Sequence, residues 1–155
     1  MDQQQESALL AAMKQFFEED GWAYDERDDR AVLRVSIDGQ SGKFAGFSIA
    51  YDDRSQLCFY TVLPMNAPAE RRLPVAEFIA RANYNMIIGN FEIDFSDGEI
   101  RYKTSIDIEG GTLTQMMCKN LVYANVTTMD RYFPGLAAVI AGAKSPAEAV
   151  AEIEG

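Results

Sequence analysis

The sequence predicts an α+β fold, an antiparallel sheet of about five strands packed with helices in the order α-β-β-β-α-β-β-α. Three observations predict it. Apolar residues recur at helical spacing before position 20, three strand-like segments separated by short turns fill positions 31–63, and an Asp-Gly turn joins two more after position 90. A chain of 155 residues with 48% hydrophobic content suits a single domain spanning residues 1–155.

The first helix is predicted from Ser7 to Glu19, with the Ser7 hydroxyl as its N-cap. Asp20-Gly21 ends it, and the chain continues as an extended segment. One apolar stripe runs along this helix and consists of Leu9, Leu10, Met13, Phe16 and Phe17.

Three strands are predicted at 31–38, 43–51 and 56–63, with 39–42 and 52–55 as turns. In the second strand the alternation changes phase between Phe44 and Phe47, which predicts a bulge at Gly46. The third strand is apolar on both faces, as expected for a central or interface strand.

A second helix is predicted after a proline-containing connection, with Pro74 in its first turn and Gly89 as its C-cap. Its predicted buried stripe consists of Val75, Phe78, Ile79, Ala82 and Met86.

Segments 90–96 and 99–108 flank Asp97-Gly98, the strongest two-residue hairpin signal. A turn of that length predicts four facing pairs, apolar on one face and charged on the other. These pairs are Phe95 with Ile100, Ile93 with Tyr102, Asp94 with Arg101, and Glu92 with Lys103.

The C-terminal third is predicted to be helical. Thr112 caps a helix that runs through about Arg131, Pro134 breaks or kinks it, and a further helical piece reaches Gly142. Ser145, followed by a proline and then Glu148, forms a capping box that begins a short terminal helix.

The net charge of −10 makes nucleic acids and anionic membranes unfavourable partners. The N-terminus lacks a signal-peptide pattern, and no apolar run approaches the roughly 20 residues of a membrane span. We therefore expect a cytoplasmic protein. Cys58 and Cys118 lie far apart in apolar segments, which favours buried free thiols over a disulfide.

The residues give little support for catalysis. The chain has no histidine, which removes the commonest general base and neutral metal ligand. The phosphate-loop-like segment 39–43 joins two strands, and the calcium-loop-like segment at 94–99 would need a ligand where Gly98 stands. We therefore predict no enzyme, no cofactor and no metal. The acid cluster of Asp25, Glu26, Asp28 and Asp29 is interpreted as a solvated loop, and an enzyme that uses carboxylates or a metal stays a third hypothesis.

Several segments resemble the YbjN-type domain family over residues 6–153. They are 68–72 (PAERR), 82–85 (ANYN), 89–94 (GNFEID), 97–102 (DGEIRY) and 130–134 (DRYFP). The resemblance implies a fold similar to that of type III secretion chaperones, which are small, acidic, non-enzymatic and usually dimeric, and which hold an extended partner segment on an apolar surface. It implies no catalytic residues. The positions that match the family pattern are Asn83, Gly89, Asp94, Gly98 and Tyr102.

The first functional hypothesis is therefore a homodimeric protein-binding module, a regulator or chaperone-like protein of unknown partner. Its candidate surface is the outer face of the hairpin with exposed parts of segment 74–88. The alternative is a small-ligand sensor with an aromatic pocket between sheet and helices, lined by Trp22, Tyr24, Phe44, Phe47, Phe59 and Tyr60. Core packing is favoured over an adaptable binding surface for Met116, Met117 and Met129.

Overall fold

A computed structural model describes residues 6–27 and 31–155 of the chain. In these two ranges the chain forms four α-helices and six strands: α1 (Ala8–Glu19), β1 (Tyr24–Arg27), β2 (Val32–Asp38), β3 (Lys43–Tyr51), β4 (Gln56–Val62), α2 (Arg72–Asn83), β5 (Asn90–Ile93), β6 (Ile100–Asp107), α3 (Gln115–Ile140) and α4 (Pro146–Glu154). The predicted α+β class and element order are confirmed.

The strands form one sheet in the order β1-β2-β3-β4-β6-β5, with antiparallel neighbours throughout. It has six strands where about five were expected. The extra strand is the extended segment after α1, which pairs along β2 from Tyr24 to Arg27. The resulting edge strand is short and polar, as edge strands commonly are.

All four helices contribute to one hydrophobic core on one side of the sheet. Helix α1 contacts β2 and β3, α3 contacts β4 and β6, and α2 contacts β5. The five apolar residues predicted for α1 are all buried, and the Ser7 hydroxyl accepts a hydrogen bond from the Leu10 amide, as an N-cap does. Ser145 caps α4 in the same way.

The bulge predicted at Gly46 is wrong. Gly46 pairs regularly with Val35 on one side and Thr61 on the other. Phe44 and Phe47 lie on opposite faces of a regular strand. Phe44 is buried on the helix side, small residues take the inner positions after it, and Phe47 and Ile49 point outward. A Cβ on Gly46 would lie 2.8 Å from the Val35 Cγ2 atom, so the core leaves no room for a larger residue there.

The predicted hairpin register is wrong by two residues. Ile93 faces Ile100 rather than Tyr102, and residues 94–99 form a longer loop. Asp94 accepts hydrogen bonds from the amide and hydroxyl of Ser96, and this local turn removes Asp94 from the strand. Because the shift is an even number, the apolar and charged faces remain as predicted.

Helix α2 ends at Asn83, earlier than predicted, so Met86 lies beyond it and Gly89 is not its C-cap. Gly89 instead has a φ of 80° beside β6, where a Cβ would lie 2.5 Å from the Lys103 carbonyl oxygen. Only glycine combines that backbone conformation with such a close approach.

Helix α3 begins later than predicted, with Thr114 rather than Thr112 as its N-cap, and continues through Pro134 to Ile140. An internal proline costs a helix ~3 kcal/mol. Tyr132, Leu136 and Val139 around it are all buried, and this packing holds the helix continuous.

Candidate functional site

The side of the sheet opposite the helices carries large apolar side chains. Lys43 and Gln56 also face outward, and we define the apolar strip as the other outward residues of β3 and β4: Ala45, Phe47, Ile49, Tyr51, Cys58, Tyr60 and Val62. None of them belongs to the core that the helices bury. Pairing between the two strands sets Phe47 beside Tyr60 and Ile49 beside Cys58, so the side chains form one continuous surface.

Cationic side chains flank this strip on both sides. Arg34 on β2 pairs with Phe47, and Lys103 and Arg101 on β6 pair with Tyr60 and Val62. The acidic partners nearest to them stand one strand further out. Asp25 on β1 faces Arg34, and Glu92 on β5 faces Arg101.

Hydrogen bonds and stacking hold the cations on the β6 side in place. The Arg101 Nε atom lies 2.9 Å from Glu92 Oε1, and the Lys103 Nζ atom lies 3.4 Å from Glu92 Oε2. The Arg101 guanidinium lies 4.1 Å from the centre of the Tyr60 ring, at cation–π distance. Desolvation raises the pKa of the Tyr60 hydroxyl, so this ring stays neutral at physiological pH.

A second apolar surface lies in the connection between α2 and β5. We define the loop patch as Tyr84, Ile87 and Ile88, which are 78%, 94% and 56% exposed. Tyr102, buried in the sheet, donates a hydrogen bond of 2.6 Å to the Ile88 carbonyl and anchors the loop. The loop patch is therefore held in position by the core.

Two grooves adjoin the loop patch. One, of about 450 Å³, lies between this loop and α3, and the other, of about 630 Å³, lies between α2 and α4. Tyr84 and Glu154 line both. The two grooves therefore meet at the exposed Tyr84 ring.

The sequence-predicted positions do not converge on one site. Asn83 joins the end of α2 to β5, because its Oδ1 atom accepts from the Phe91 amide at 2.7 Å and its Nδ2 atom donates to the Phe91 carbonyl at 3.1 Å. Gly89 and Tyr102 form the base of the loop patch.

The remaining two positions lie in the 94–99 loop. Gly98 packs so closely on Ala67 that a Cβ would lie 2.0 Å from its carbonyl oxygen. The hydrogen bonds from Ser96 lower the pKa of the Asp94 carboxyl. All five positions have structural contacts that shape the loops at this end of the molecule.

Two further residues of the family-like segments position loops, which the sequence reasoning did not find. The Asp130 carboxylate accepts hydrogen bonds from the Gln40 and Ser41 amides of the β2–β3 turn. Arg72 donates to the carbonyl oxygens of Ala67 and Phe95. A charged residue before a buried helical stripe is the signal that could have identified Arg72.

The aromatic pocket of the ligand-sensor hypothesis does not form as predicted. Phe44 and Phe59 are core residues, whereas Phe47 and Tyr60 lie on the opposite side of the sheet. Inside the core, Phe59 packs against Phe17, and Phe44 against Phe133. The six residues therefore cannot line one cavity.

The thiol and methionine predictions are partly wrong. Cys118 is buried and Cys58 is partly exposed in the apolar strip, and both are free thiols. Met129 is buried, but Met116 and Met117 at the start of α3 are exposed.

Within residues 6–27 and 31–155, no three histidine, cysteine or acidic residues form a metal-binding group. Glu26 of the predicted acid cluster pairs with Lys14 at 2.7 Å, while Asp28 and Asp29 lie outside the described residues. No helix in those ranges is both long and apolar enough to cross a bilayer.

The fold defines a class of protein, the α+β modules with the type III secretion chaperone-like fold. The chaperone–effector complex HopA1–SchA contains a similar chain with 19% identity and a TM-score of 0.54, covering 81% of this chain and 93% of that one. A chain in the ExsC–ExsE complex has 15% identity and a TM-score of 0.52, covering 86% and 94%.

YbjN from E. coli, "a putative transcription regulator", has a similar structure with 14% identity and a TM-score of 0.60, covering 78% of this chain and 85% of that one. Residues 9–138 match the YbjN family, described as "Putative bacterial sensory transduction regulator", and the chain belongs to that family. No curated protein sequence matches this one.

Proposed function

We propose that this protein is a non-enzymatic protein-binding module, a regulator or chaperone-like protein that binds its partner on the apolar strip. One observation carries the proposal: the strip presents seven neighbouring side chains, mostly apolar, on the side of the sheet away from the core. Tyr51 is exposed, five of the strip residues are half-buried, and Tyr60 is 8% exposed. A continuous apolar surface that no helix of the chain covers often marks an interaction site. Two chains of similar fold occur in complexes with another protein, HopA1–SchA and ExsC–ExsE, and the first of these is a chaperone–effector complex, which supports the same proposal.

The family description as a regulator supports a function without catalysis. The two unpaired thiols fit a reducing compartment such as the cytoplasm.

The test is covalent capture from the strip itself. A benzophenone attached to Cys58 is activated by light in an extract of the cells that make the protein. We expect a crosslinked partner whose yield falls at least fivefold when Phe47→Ser and Ile49→Ser remove two apolar side chains beside Cys58. A matched variant, Leu73→Ser, removes an apolar residue that is 76% exposed away from the strip, and should leave the yield unchanged.

Circular dichroism and thermal unfolding serve to check that both variants are folded. A crosslinked partner whose yield is the same in all folded variants, or the absence of any crosslinked partner, would overturn the proposal.

A homodimer formed through the loop patch completes the proposed function. A side chain as exposed as Ile87, beside two grooves, is suited to a two-fold interface in which each copy inserts into the groove of the other. Taken together, the two grooves are electrically balanced. Two acids, Glu77 and Glu154, and two bases, Arg81 and Arg131, line them, so this surface avoids the repulsion that a net charge of −10 creates elsewhere.

Light scattering after size exclusion tests the dimer. We expect twice the chain mass of 17.2 kDa for the wild type and the single mass for Ile87→Glu. Leu73→Glu introduces the same charge at another exposed apolar position and should remain dimeric. A monomeric wild type at every concentration, or a dimer that survives Ile87→Glu, would contradict this interface.

A further inference from the structure

We infer that the occupant of the apolar strip is an amphipathic helix of a partner protein, apolar along one side and acidic on both flanks. This inference rests on the proposed function, because it names the kind of segment that the same surface binds. Its first ground is the layer structure of the molecule. The four helices lie on one side of the antiparallel sheet, so the other side has room for a helix that another protein supplies.

The dimensions of the strip suit a helix. Two strands ~4.8 Å apart, with their side chains, give a surface about 10 Å wide, and the steps from Ala45 to Tyr51 at ~3.3 Å each give a length of about 20 Å. A helix with its side chains is ~10–12 Å across and rises 1.5 Å per residue, so about 13 residues cover the strip. An added strand would need the unpaired backbone of a sheet edge, whereas β3 and β4 are both paired on two sides.

The charges around the strip favour a helix with acidic residues on both sides of its apolar stripe. Arg34 stands on one side, and Arg101 and Lys103 on the other, in a chain that has 24 acids and 14 bases. A helix with glutamates beside its apolar stripe meets a cation on either side. A second copy of this chain, packed strip to strip, would instead bring these cations near the same cations of the other copy. Its net charge of −10 would add to the repulsion.

The cations are not spread evenly along the strip. They flank the half that contains Phe47 and Val62, whereas Asp107 on β6 faces Gln56 at the other end. Because the C-terminus of a helix carries partial negative charge, it is attracted to the cationic half. The acidic flanks are therefore expected in the C-terminal half of the bound helix.

The probe is a fluorescent synthetic peptide of about 15 residues, with leucines at helical spacing, glutamates flanking them in the C-terminal half and glutamines elsewhere. A second peptide replaces the glutamates with lysines. We expect the glutamate peptide to bind about tenfold tighter, because three partly exposed ion pairs replace three contacts between like charges. Binding is followed by fluorescence anisotropy at low salt.

Charge exchange locates the site. The double variant Arg34→Glu with Lys103→Glu should reverse the preference and bind the lysine peptide more tightly, and that binding itself shows that the variant is folded. The control Lys119→Glu with Lys144→Glu changes the net charge by the same amount, at positions outside the strip and outside both grooves, and should keep the wild-type preference. The bound glutamate peptide should also slow the reaction of Cys58 with a maleimide at least fivefold.

Equal binding of both peptides, unchanged preference after charge exchange, or binding without protection of Cys58 would overturn the inference. The inference would also fail if the wild type were a dimer that Phe47→Ser with Ile49→Ser dissociates, because a second copy of the chain would then occupy the strip. If neither peptide binds but Cys58 still captures a partner in a strip-dependent way, the helix is wrong and the proposed function stands. If capture is also independent of the strip, both fail.

Discussion

The two faces of β3 differ mainly in the size of their side chains. After Phe44, which is buried in the core, the residues that face the helices are the small Gly46, Ser48 and Ala50, whereas Phe47 and Ile49 face outward. The inner side is nevertheless the fully buried one. Gly46 has no room for a larger side chain, because Val35, Ile37 and Phe59 of the neighbouring strands already fill the space above it.

This difference teaches that the larger apolar residues of a strand need not belong to the core. A chain can bury a sufficient core with one side of a sheet and keep large side chains on the other for a partner. The free energy stored in the uncovered side becomes available only on binding. The following measurements test whether the two sides are as different as the structure indicates.

The largest difference is expected between the two thiols. Cys58 lies in the apolar strip, and Cys118 is fully buried against the sheet, where burial raises the pKa of its thiol to about 11. A maleimide reacts with the thiolate, so Cys58 should react at least ~100-fold faster in the native protein, because Cys118 must wait for local opening. Mass spectrometry of the labelled peptides measures both rates.

In denaturant the two thiols should react at similar rates, which serves as the control. Similar rates in the native protein would mean that Cys118 is accessible or that another part of the chain covers the strip.

A smaller contrast is expected between two phenylalanines on neighbouring strands. Phe59 is fully buried in the core, and Phe47 belongs to the apolar strip. Truncation of a buried phenylalanine leaves a cavity, so Phe59→Ala should lower the free energy of unfolding by ~3–5 kcal/mol. Phe47→Ala should cost less than half as much. Urea unfolding of both variants makes the comparison, and equal losses would show that the strip is covered in the free protein.

The smallest contrast concerns backbone space at Gly46. Gly46→Ala places a Cβ within 3.0 Å of Val35, Ile37 and Phe59, and overpacking of this kind costs ~1–3 kcal/mol. Gly111→Ala is the matched control, because its nearest neighbour would be 3.6 Å away, an ordinary contact. Thermal unfolding should show a lower midpoint for the first variant only. A neutral Gly46→Ala would indicate that the core relaxes easily beneath β3.

Much of the fold could be predicted from local signals. The capped helix after Ser7, strand β3 and the capping box at Ser145 follow from patterns within a few residues. The hairpin register could not, because it depends on the Asp94 turn and on the packing of Gly98 against Ala67, more than 30 positions away in the sequence. Helix α3 likewise continues through Pro134 because of long-range packing.

The candidate surfaces were less predictable than the elements. The apolar residues on both faces of segment 56–63 correctly indicated a central strand. They did not indicate which face the helices would leave uncovered. The exposed loop patch lies in the segment that was predicted to be the end of α2, since Met86 was included in the apolar stripe of that helix. Asn83 ends that helix by binding the backbone of β5 instead.

By itself, the sequence determined the α+β class, the order of the elements and the acidic charge, because each depends on composition or on patterns within single segments. Only the tertiary structure decided which side of β3 and β4 the helices cover, which cations flank the apolar strip and where the loop patch stands. These depend on pairing between distant strands, and a strand with apolar residues on both sides does not specify the side on which its helices pack.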